Sequence, residues 1–307
     1  MKPYDLIIIG GGPAGIGAAL QAGRQGRKVL LAEKDTLGGR LNHAFLVKNF
    51  PLAGPKGSSG KIIVHGLIKQ LKTFDITTIQ GTCRIIDHKN GIFISLINGR
   101  GYSSRAVIMA GGLEPKKLVV PGAGEAFEQK RLAYYWDDLP GAQKDKSIAV
   151  IGCGEVALDQ ACSLAAKGAK ATVLVRGDKV KAYPGLVKMA EGLGVKIKYD
   201  YTTERISQNG LGLVLRGSGN RNFKCDRAVA AIGSSVPKTI IYSQATKLMN
   251  KGLYLAGDLV NKDNKQAAIA FGSGIKATML ADRTLYPSPN TSTGSVTLGE
   301  GGVKRSK

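Results

Sequence analysis

The feature that most constrains the fold is a glycine-rich turn near the start of the chain. Gly10, Gly12 and Gly15 follow an apolar run, and a stretch of small residues leads to a second apolar run that ends at Glu33. This order of strand, Gly-x-Gly-x-x-Gly turn, helix, strand and acidic residue is typical of a dinucleotide-binding βαβ unit. Gly10 permits the tight turn, Gly12 lets the backbone approach a pyrophosphate, and Gly15 lets the helix pack closely on the strand. The N–H groups at the helix start would donate hydrogen bonds to the phosphates, and Glu33 would accept hydrogen bonds from ribose hydroxyl groups.

A second unit of the same kind begins about 140 residues later. Its turn contains Gly152 and Gly154, with Ala157 in the third motif position, and the run Ala171–Val175 supplies the next strand. Two such units predict two nucleotide-binding folds. Between them, the pattern predicts a helix over Lys61–Phe74. Several short strands follow, including Ile76–Ile79, Gly91–Ile97 and Ala106–Met109, and they suggest a small antiparallel meander inserted into the first domain. A helix rich in small residues is predicted over Gln266–Leu280.

The chain is strongly basic. Of its 307 residues, 44 are Lys or Arg and 22 are Asp or Glu, which gives a formal charge of +22. Such a field attracts anionic partners: a dinucleotide phosphate, an acidic electron-carrier protein or an anionic membrane face. An equally weighted interpretation is a solvated basic surface without a specific partner. No basic stripe alternates with aromatic residues, so a nucleic-acid partner is not predicted. The sequence shows neither a signal-peptide pattern nor an apolar run that could span a bilayer, and it therefore predicts a cytoplasmic protein.

The cysteines do not form a recognisable framework. Cys83, Cys153, Cys162 and Cys225 are widely spaced, and there are only three histidines. We therefore predict no metal site and no disulfide framework, and we interpret the cysteines as packing residues. His43 and His65 are likewise interpreted as structural.

Several segments in the same order resemble the two-domain flavoproteins of the thioredoxin reductase family, within the class II pyridine nucleotide-disulfide oxidoreductases. The resemblance covers residues 4 to about 285 and rests on Ile9–Gly15 with Glu33, Gly38–Leu41, Asn49–Pro51, Gly112–Pro115, Gly152–Ala157, Ala231–Gly233, Gly257–Asp258 and Gln266–Ala267. It implies an α/β fold with two Rossmann-like, three-layer ββα dinucleotide-binding domains, the second inserted in the first. The expected FAD-binding domain comprises residues 1–113 and 238–286, the expected NAD(P)-binding-like domain residues 114–237, and residues 287–307 are expected to form a disordered tail.

The resemblance also implies the site residues. FAD would contact the first glycine turn, the loop after the apolar run that ends at Glu33, and the segment after the inserted domain. The residues are Gly10, Gly12, Pro13, Ala14, Gly15, Glu33, Gly39, Arg40, Leu41, Asn49, Gly111, Gly257, Asp258, Gln266 and Ala267. NAD(P)H would contact Gly152, Gly154, Glu155, Val156, Arg176 and Lys181. No residue is identified as a general acid or base.

Two departures from the family pattern bear on function. Members that reduce disulfides carry a Cys-x-x-Cys pair before the second glycine turn, and here Tyr135 and Asp138 occupy those positions. The arginine cluster that binds the 2′-phosphate of NADPH is reduced to Arg176 and Lys181, so the choice between NADPH and NADH stays open. The Tyr134-Tyr135-Trp136 cluster either packs at a domain junction or covers the flavin face.

The family members that lack the cysteines include ferredoxin-NADP reductases of the thioredoxin-reductase-like type. We therefore predict an FAD-dependent oxidoreductase that passes electrons between NAD(P)H, flavin and an acidic carrier such as ferredoxin or flavodoxin, or a small acceptor, without a dithiol relay. An alternative is an FAD-binding electron-transfer subunit or redox-sensing module that does not turn over NAD(P)H. A third hypothesis is disulfide chemistry with thiols that a partner supplies. Analogy with relatives implies a homodimer.

Overall fold

The computed structural model describes residues 2–237, 248–249, 251–261 and 264–287. They form two lobes, each built around a parallel sheet. We call residues 2–113 together with the described residues after 247 the first lobe, and residues 114–237 the second lobe. Among the described residues, no helix combines the length and the apolar character that a bilayer crossing requires.

The elements follow in chain order. Those of the first half are β1 (Tyr4–Ile9), α1 (Pro13–Arg24), β2 (Val29–Glu33), α2 (Gly60–Leu71), β3 (Ile76–Gln80), β4 (Cys83–Lys89), β5 (Ile92–Ile97), β6 (Arg100–Met109), β7 (Glu114–Pro115), α3 (Ala123–Glu128), β8 (Leu132–Ala133) and β9 (Ser147–Ile151). Those of the second half are α4 (Glu155–Ala166), β10 (Lys170–Leu174), α5 (Pro184–Gly192), β11 (Lys196–Lys198), β12 (Thr203–Asn209), β13 (Gly212–Gly217), β14 (Arg221–Cys225), β15 (Arg227–Ala230), β16 (Ser234–Ser235), β17 (Leu253–Leu255) and α6 (Ala267–Leu285).

The first lobe has three layers. Its sheet has the order β3-β2-β1-β6-β5-β4, with β17 also paired to β6; β3, β2, β1, β6 and β17 run parallel, and β4 to β6 form an antiparallel meander. Because side chains alternate along a strand, Leu6 and Ile8 face the helices, while Ile7 packs with Phe93 and Ile97 of the meander. Strands buried on both faces in this way read as continuous apolar runs.

The second lobe repeats this plan. Its five strands are all parallel, in the order β11-β10-β9-β15-β8, and a separate antiparallel sheet β12-β13-β14 lies on one face. Ile148 and Val150 of β9 pack on the side of α4 and α5, whereas Ala149 and Ile151 pack with the antiparallel strands. The predicted α/β class, with two Rossmann-like ββα units, is confirmed.

The two ends of the first lobe meet where α1 crosses α6. A Cβ on Gly274 would lie 1.9 Å from the carbonyl oxygen of Ala14, so the helices approach at backbone distance. Nearby, the Thr278 hydroxyl donates to the Ala18 carbonyl at 3.0 Å. Glycine at this crossing therefore allows the helix from the end of the chain to pack against the helix that begins at the first turn.

The local predictions were partly correct. The predicted antiparallel meander is formed by β4 to β6 and includes the predicted run Gly91–Ile97. Ile76–Ile79 lies outside it, in β3, a parallel edge strand beside β2, and Ala106–Met109 is the part of β6 that pairs in parallel with β1. Strand β4 was not among the predicted runs, because Arg84, Asp87 and Lys89 interrupt its apolar pattern. The helix predicted over Lys61–Phe74 ends at Leu71, and the last helix continues past Leu280 to Leu285.

The domain boundaries at 1–113, 114–237 and 238–286 stay our proposal. Residues 238–247 of the predicted return to the first lobe lie outside the described residues. So does the predicted tail, apart from Pro287.

Candidate dinucleotide sites

Each glycine of the first turn has a separate steric reason. Gly10 has a φ of 103°, and a Cβ there would lie 2.5 Å from the Ala110 carbonyl oxygen and 2.8 Å from the Cα of Gly111. A Cβ on Gly15 would lie 1.7 Å from the Gly10 carbonyl oxygen. At Gly12, by contrast, a Cβ would meet nothing within 4 Å. Gly10 and Gly15 are therefore required for packing, whereas Gly12 borders open space in which a pyrophosphate could lie. We call this space, with the glycine turn as its first wall, the first cradle.

The start of α1 is free to bind an anion. Pro13 is the first helical residue, and no side chain caps the helix at Gly12. The first-turn N–H groups, including that of Ala14, have no partner within the helix, and the helix dipole adds positive potential there. These features fit a dinucleotide phosphate.

Glu33 closes the turn from the end of β2. Its Oε2 accepts the Gly11 N–H at 2.5 Å, and its Oε1 accepts the Asp35 N–H at 2.9 Å. A carboxylate has about four acceptor positions, so these two bonds orient it and leave capacity for ribose hydroxyl groups.

The loop after β2 lies against the same turn. The Gly38 N–H donates to the Gly11 carbonyl at 2.7 Å, and a short 3₁₀ helix then carries Gly39, Arg40 and Leu41. A Cβ on Gly39 would approach the Cα of Gly12 at 3.4 Å. This loop therefore forms a second wall of the cradle.

The segment after β17 forms the third wall. Gly257 has a φ of 74°, its N–H donates to the Ser273 hydroxyl at 2.5 Å, and a Cβ there would lie 2.9 Å from the Cβ of Ala14. Asp258 faces Arg40, with an N–O distance of 3.6 Å. Burial raises the pKa of Asp258, while Arg40 and Lys265 oppose that shift.

Gln266 and Asn49 link two further parts of the predicted site. Gln266 is the residue before the first turn of α6, which begins at Ala267, and its side-chain oxygen accepts from the Asn49 amide at 2.9 Å. The structure thus brings the predicted FAD residues of the first turn, the loop after β2 and the segment after β17 to one edge of the parallel sheet. This is the strand edge at which α/β folds bind their ligands.

The second glycine turn has the same construction. A Cβ on Gly152 would lie 2.4 Å from the Ala231 carbonyl oxygen, whereas a Cβ on Gly154 would meet nothing within 4 Å. Helix α4 starts at Glu155, followed by the exposed Val156, and no side chain caps it. This turn can therefore receive a second pyrophosphate.

Of the two cations predicted to bind a phosphate, Lys181 contacts the second glycine turn through its backbone. Its N–H donates to the Cys153 carbonyl at 2.6 Å, and its backbone forms a parallel bridge with Gly154. Arg176 follows β10 and is exposed. Glu33 is the last residue of β2, and Val175 has the corresponding position after β10, so no carboxylate at that position would repel an additional phosphate.

The residues at the absent cysteine positions lie where the two lobes meet. The ring of Tyr135 stacks on His43, with centroids 3.8 Å apart and planes 7° from parallel. The Trp136 indole N–H donates to the His43 carbonyl at 3.1 Å. Tyr135 and Trp136 thus pack on His43 between the two lobes, and the alternative that they cover the flavin face stays a prediction. Tyr134 packs within the second lobe against Phe127.

Charged groups reinforce this junction. Asp137 contacts the His43 ring nitrogen Nδ1 at 2.5 Å and the Lys61 ammonium at 3.1 Å. Burial alone would raise the pKa of Asp137, but His43 and Lys61 lower it below its ordinary value. Sequence reasoning found neither this ion pair nor a further carboxylate at the junction, Asp159, whose Oδ2 accepts the Phe45 N–H at 2.9 Å.

The cysteines are poorly suited to thiol chemistry. All four are free, and burial raises the pKa of Cys83 to about 12, of Cys162 to about 11 and of Cys225 to about 12. Because the thiolate is the reactive form, these three side chains are inert thiols at neutral pH.

Two ββα lobes, each with an uncapped helix after a glycine turn, define a flavoprotein-type oxidoreductase with two dinucleotide sites. Comparison with known proteins makes this assignment specific. The model of the pyridine nucleotide-disulphide oxidoreductase family matches residues 4–274, and the chain belongs to that family. It is an FAD-dependent NAD(P)H oxidoreductase.

Individual relatives match along nearly the whole chain. Ferredoxin–NADP reductase 2 of Listeria welshimeri is 27% identical, with 94% of this chain and 95% of the relative covered. Ferredoxin–NADP reductase of Levilactobacillus brevis is 29% identical, with coverages of 89% and 90%. The crystal structure of T. acidophilum thioredoxin reductase is similar, with a TM-score of 0.81 at 23% identity over 93% of this chain and all of that chain, which supports the fold.

Proposed function

We propose that this protein passes electrons from NADPH through FAD to a ferredoxin-type carrier. The proposal rests on one observation. The chain has the fold of its family and both glycine turns, but Tyr135 and Asp138 occupy the positions at which disulfide-reducing members carry their two cysteines. Neither side chain undergoes thiol exchange, and Cys83, Cys162 and Cys225 are thiols whose raised pKa keeps them protonated. The similarity to ferredoxin–NADP reductases supports the same acceptor class.

The first lobe would hold FAD. Gly12 and the first turn of α1 would bind the pyrophosphate, Glu33 the ribose, and Asp258 with the start of α6 the flavin end. Bound FAD supplies a ring that takes two electrons from a nicotinamide and can release them singly. The start of α6 would stabilise negative charge on that ring through its dipole.

The second lobe would hold NADPH. Gly152, Gly154 and the first turn of α4, with Glu155 and Val156, would bind the pyrophosphate. Lys181 and Arg176 would bind the 2′-phosphate, and the bridge between Lys181 and the glycine turn fixes the Lys181 backbone beside it. The charge of +22 would speed encounter with an acidic carrier. We further propose a homodimer in the cytoplasm, as family analogy and the sequence predict.

Anaerobic titration tests the proposal. NADPH is expected to bleach the flavin absorption band within seconds, and oxidised ferredoxin added afterwards is expected to restore it. A flavin that responds only to dithionite or to reduced ferredoxin would refute turnover of NADPH and support the electron-transfer module. A flavin bleached by NADPH but restored only by a disulfide would refute the carrier proposal.

A further inference from the structure

The contact between Asp159 and the first lobe is unusual in its chemistry. The carboxylate accepts the main-chain N–H of Phe45 at 2.9 Å. No cation among the described residues pairs with it within 4 Å. Burial raises its pKa to about 6, although the neighbouring N–H groups of Phe45 and Leu46 oppose that rise. A partly buried carboxylate without a cation is costly, so a hydrophobic residue here would be expected if packing were its only role.

Asp159 also occupies a special place on its helix. It lies one turn after Glu155, the first residue of α4, so the same helix begins at the second dinucleotide cradle and reaches the other lobe. Phe45 lies two residues after the 3₁₀ helix Gly39–His43, which carries Gly39, Arg40 and Leu41 of the first cradle. The hydrogen bond between Phe45 and Asp159 therefore connects the two cradles through short, ordered segments.

Few other polar contacts hold the lobes together. One such contact, Lys34–Glu114, lies at the start of the second lobe. Every other side-chain hydrogen bond or ion pair between described residues of the two lobes involves His43, Phe45 or Lys61 of the first lobe. We call Phe45, Leu46, Asp159 and the neighbouring His43–Trp136 contact the junction. Its loss would leave the second lobe free to change its orientation on the first.

We propose that Asp159 is a positioning residue, which fixes the second lobe on the FAD-cradle loop through the N–H group of Phe45 and thereby sets how the two dinucleotide sites face each other. The proposal rests on the proposed function for its kinetic consequence, because the sites must face each other for electrons to pass. Its structural part concerns only residues of this chain.

Hydrogen exchange of the FAD-loaded protein tests the structural part. In Asp159→Ala the Phe45 amide loses its acceptor and is expected to exchange about tenfold faster or more. Asp159→Asn keeps one acceptor oxygen and is expected to keep the Phe45 amide largely protected. Asp226→Ala is the matched control, because Asp226 accepts the Ser147 N–H at 2.8 Å within the second lobe. Trp136 is the only tryptophan, so its quenching by acrylamide should rise in Asp159→Ala and stay unchanged in the control.

Stopped-flow reduction tests the kinetic part. At saturating NADPH, the rate constant for flavin bleaching is expected to fall about tenfold in Asp159→Ala, to recover largely in Asp159→Asn, and to stay unchanged in Asp226→Ala. The Kd of NADP⁺ is expected to stay within about twofold, because the cradle itself is intact. A parallel loss of rate and affinity would indicate general structural damage and overturn the proposal.

The two proposals fail differently. If wild-type flavin is not bleached by NADPH, the proposed function fails while the exchange experiment still decides the role of Asp159. If wild type is bleached but the Phe45 amide stays protected in Asp159→Ala, the positioning role is refuted and the proposed function stands. If Asp159→Ala does not fold, Asp159→Leu, which also lacks an acceptor but has a larger side chain, replaces it, and wild-type protection of the Phe45 amide in that variant refutes the role.

Discussion

Asp159→Asn should change the pH dependence of stability in a defined direction. The folded-state pKa of Asp159 is about 6 and its ordinary value is 3.8, so the folded protein binds this proton more tightly than the unfolded chain. The resulting contribution to stability is complete below about pH 4 and is lost as the pH rises through about 6. At about 1.4 kcal/mol per pKa unit, the ionised carboxylate costs the wild type about 3 kcal/mol at pH 7.5.

Asparagine resembles the protonated carboxyl group in charge and size. The difference in unfolding free energy between Asp159→Asn and wild type should therefore be near zero at pH 4 and reach about 2 to 3 kcal/mol, in favour of the variant, at pH 7.5. The titratable groups facing Asp159 are Cys162 on the same helix and Tyr183 before α5, whose own pKa values it raises. Neither ionises in this range, so the difference isolates Asp159.

Urea unfolding followed by circular dichroism, at a fixed excess of FAD and at several pH values between 4 and 8, provides the measurement. Asp226→Asn is the control and should show no such trend. A difference that is independent of pH, or that shrinks as the pH rises, would refute the reasoning. So would a variant that is less stable than wild type throughout.

Three further predictions concern the cradles and the thiols. Gly12→Ala should fold normally but bind FAD at least about tenfold more weakly in a flavin-release titration. Gly15→Ala should unfold more easily even without FAD, because its Cβ would lie 1.7 Å from the Gly10 carbonyl oxygen. Equal stability of the two variants would contradict this. Lys181→Ala should raise the KM for NADPH about tenfold and leave that for NADH unchanged, while Lys179→Ala, in the same loop, should do neither; a matching loss with both coenzymes would exclude a role in 2′-phosphate binding. Replacing Cys83, Cys153, Cys162 and Cys225 by alanine, one at a time, should leave the ferredoxin-dependent rate within about twofold in steady-state assays, and a loss above tenfold in a folded variant would revive thiol chemistry.

The sequence predicted the fold wherever the information was local. The turn at Gly10–Gly15 and its counterpart at Gly152–Ala157 were identified because the steric needs of a phosphate-binding turn restrict residue type at fixed spacing. The strand Ile76–Gln80 was assigned to the wrong partners because a five-residue run shows that a strand exists but not which strand it pairs with. Its parallel pairing with β2 follows from the intervening helix α2, which makes the crossover.

The junction could not be predicted for the same reason. Asp159 and Phe45 are separated by 114 positions, and nothing in the pattern of α4 shows what its carboxylate contacts. One signal was available: Asp159 and Gln160 interrupt an otherwise small and apolar helix, and a polar pair on a buried helix needs partners. The stacking of His43 on Tyr135 could not be predicted either, because the sequence does not show which residues of the two lobes lie close together.

The crossing of α1 and α6 has a consequence for biosynthesis. Ala14 lies in the proposed FAD cradle, yet the helix that packs on it at Gly274 is synthesised after the whole second lobe, and the bond from Thr278 to Ala18 spans 260 positions. The second lobe is continuous in sequence and can fold before α6 leaves the ribosome. Until then the surface of α1 that packs on α6 stays uncovered, so completing the first lobe carries a large loop-closure entropy and is expected to be the slow step of maturation. FAD that binds during this interval would stabilise the partly formed lobe until α6 packs on it.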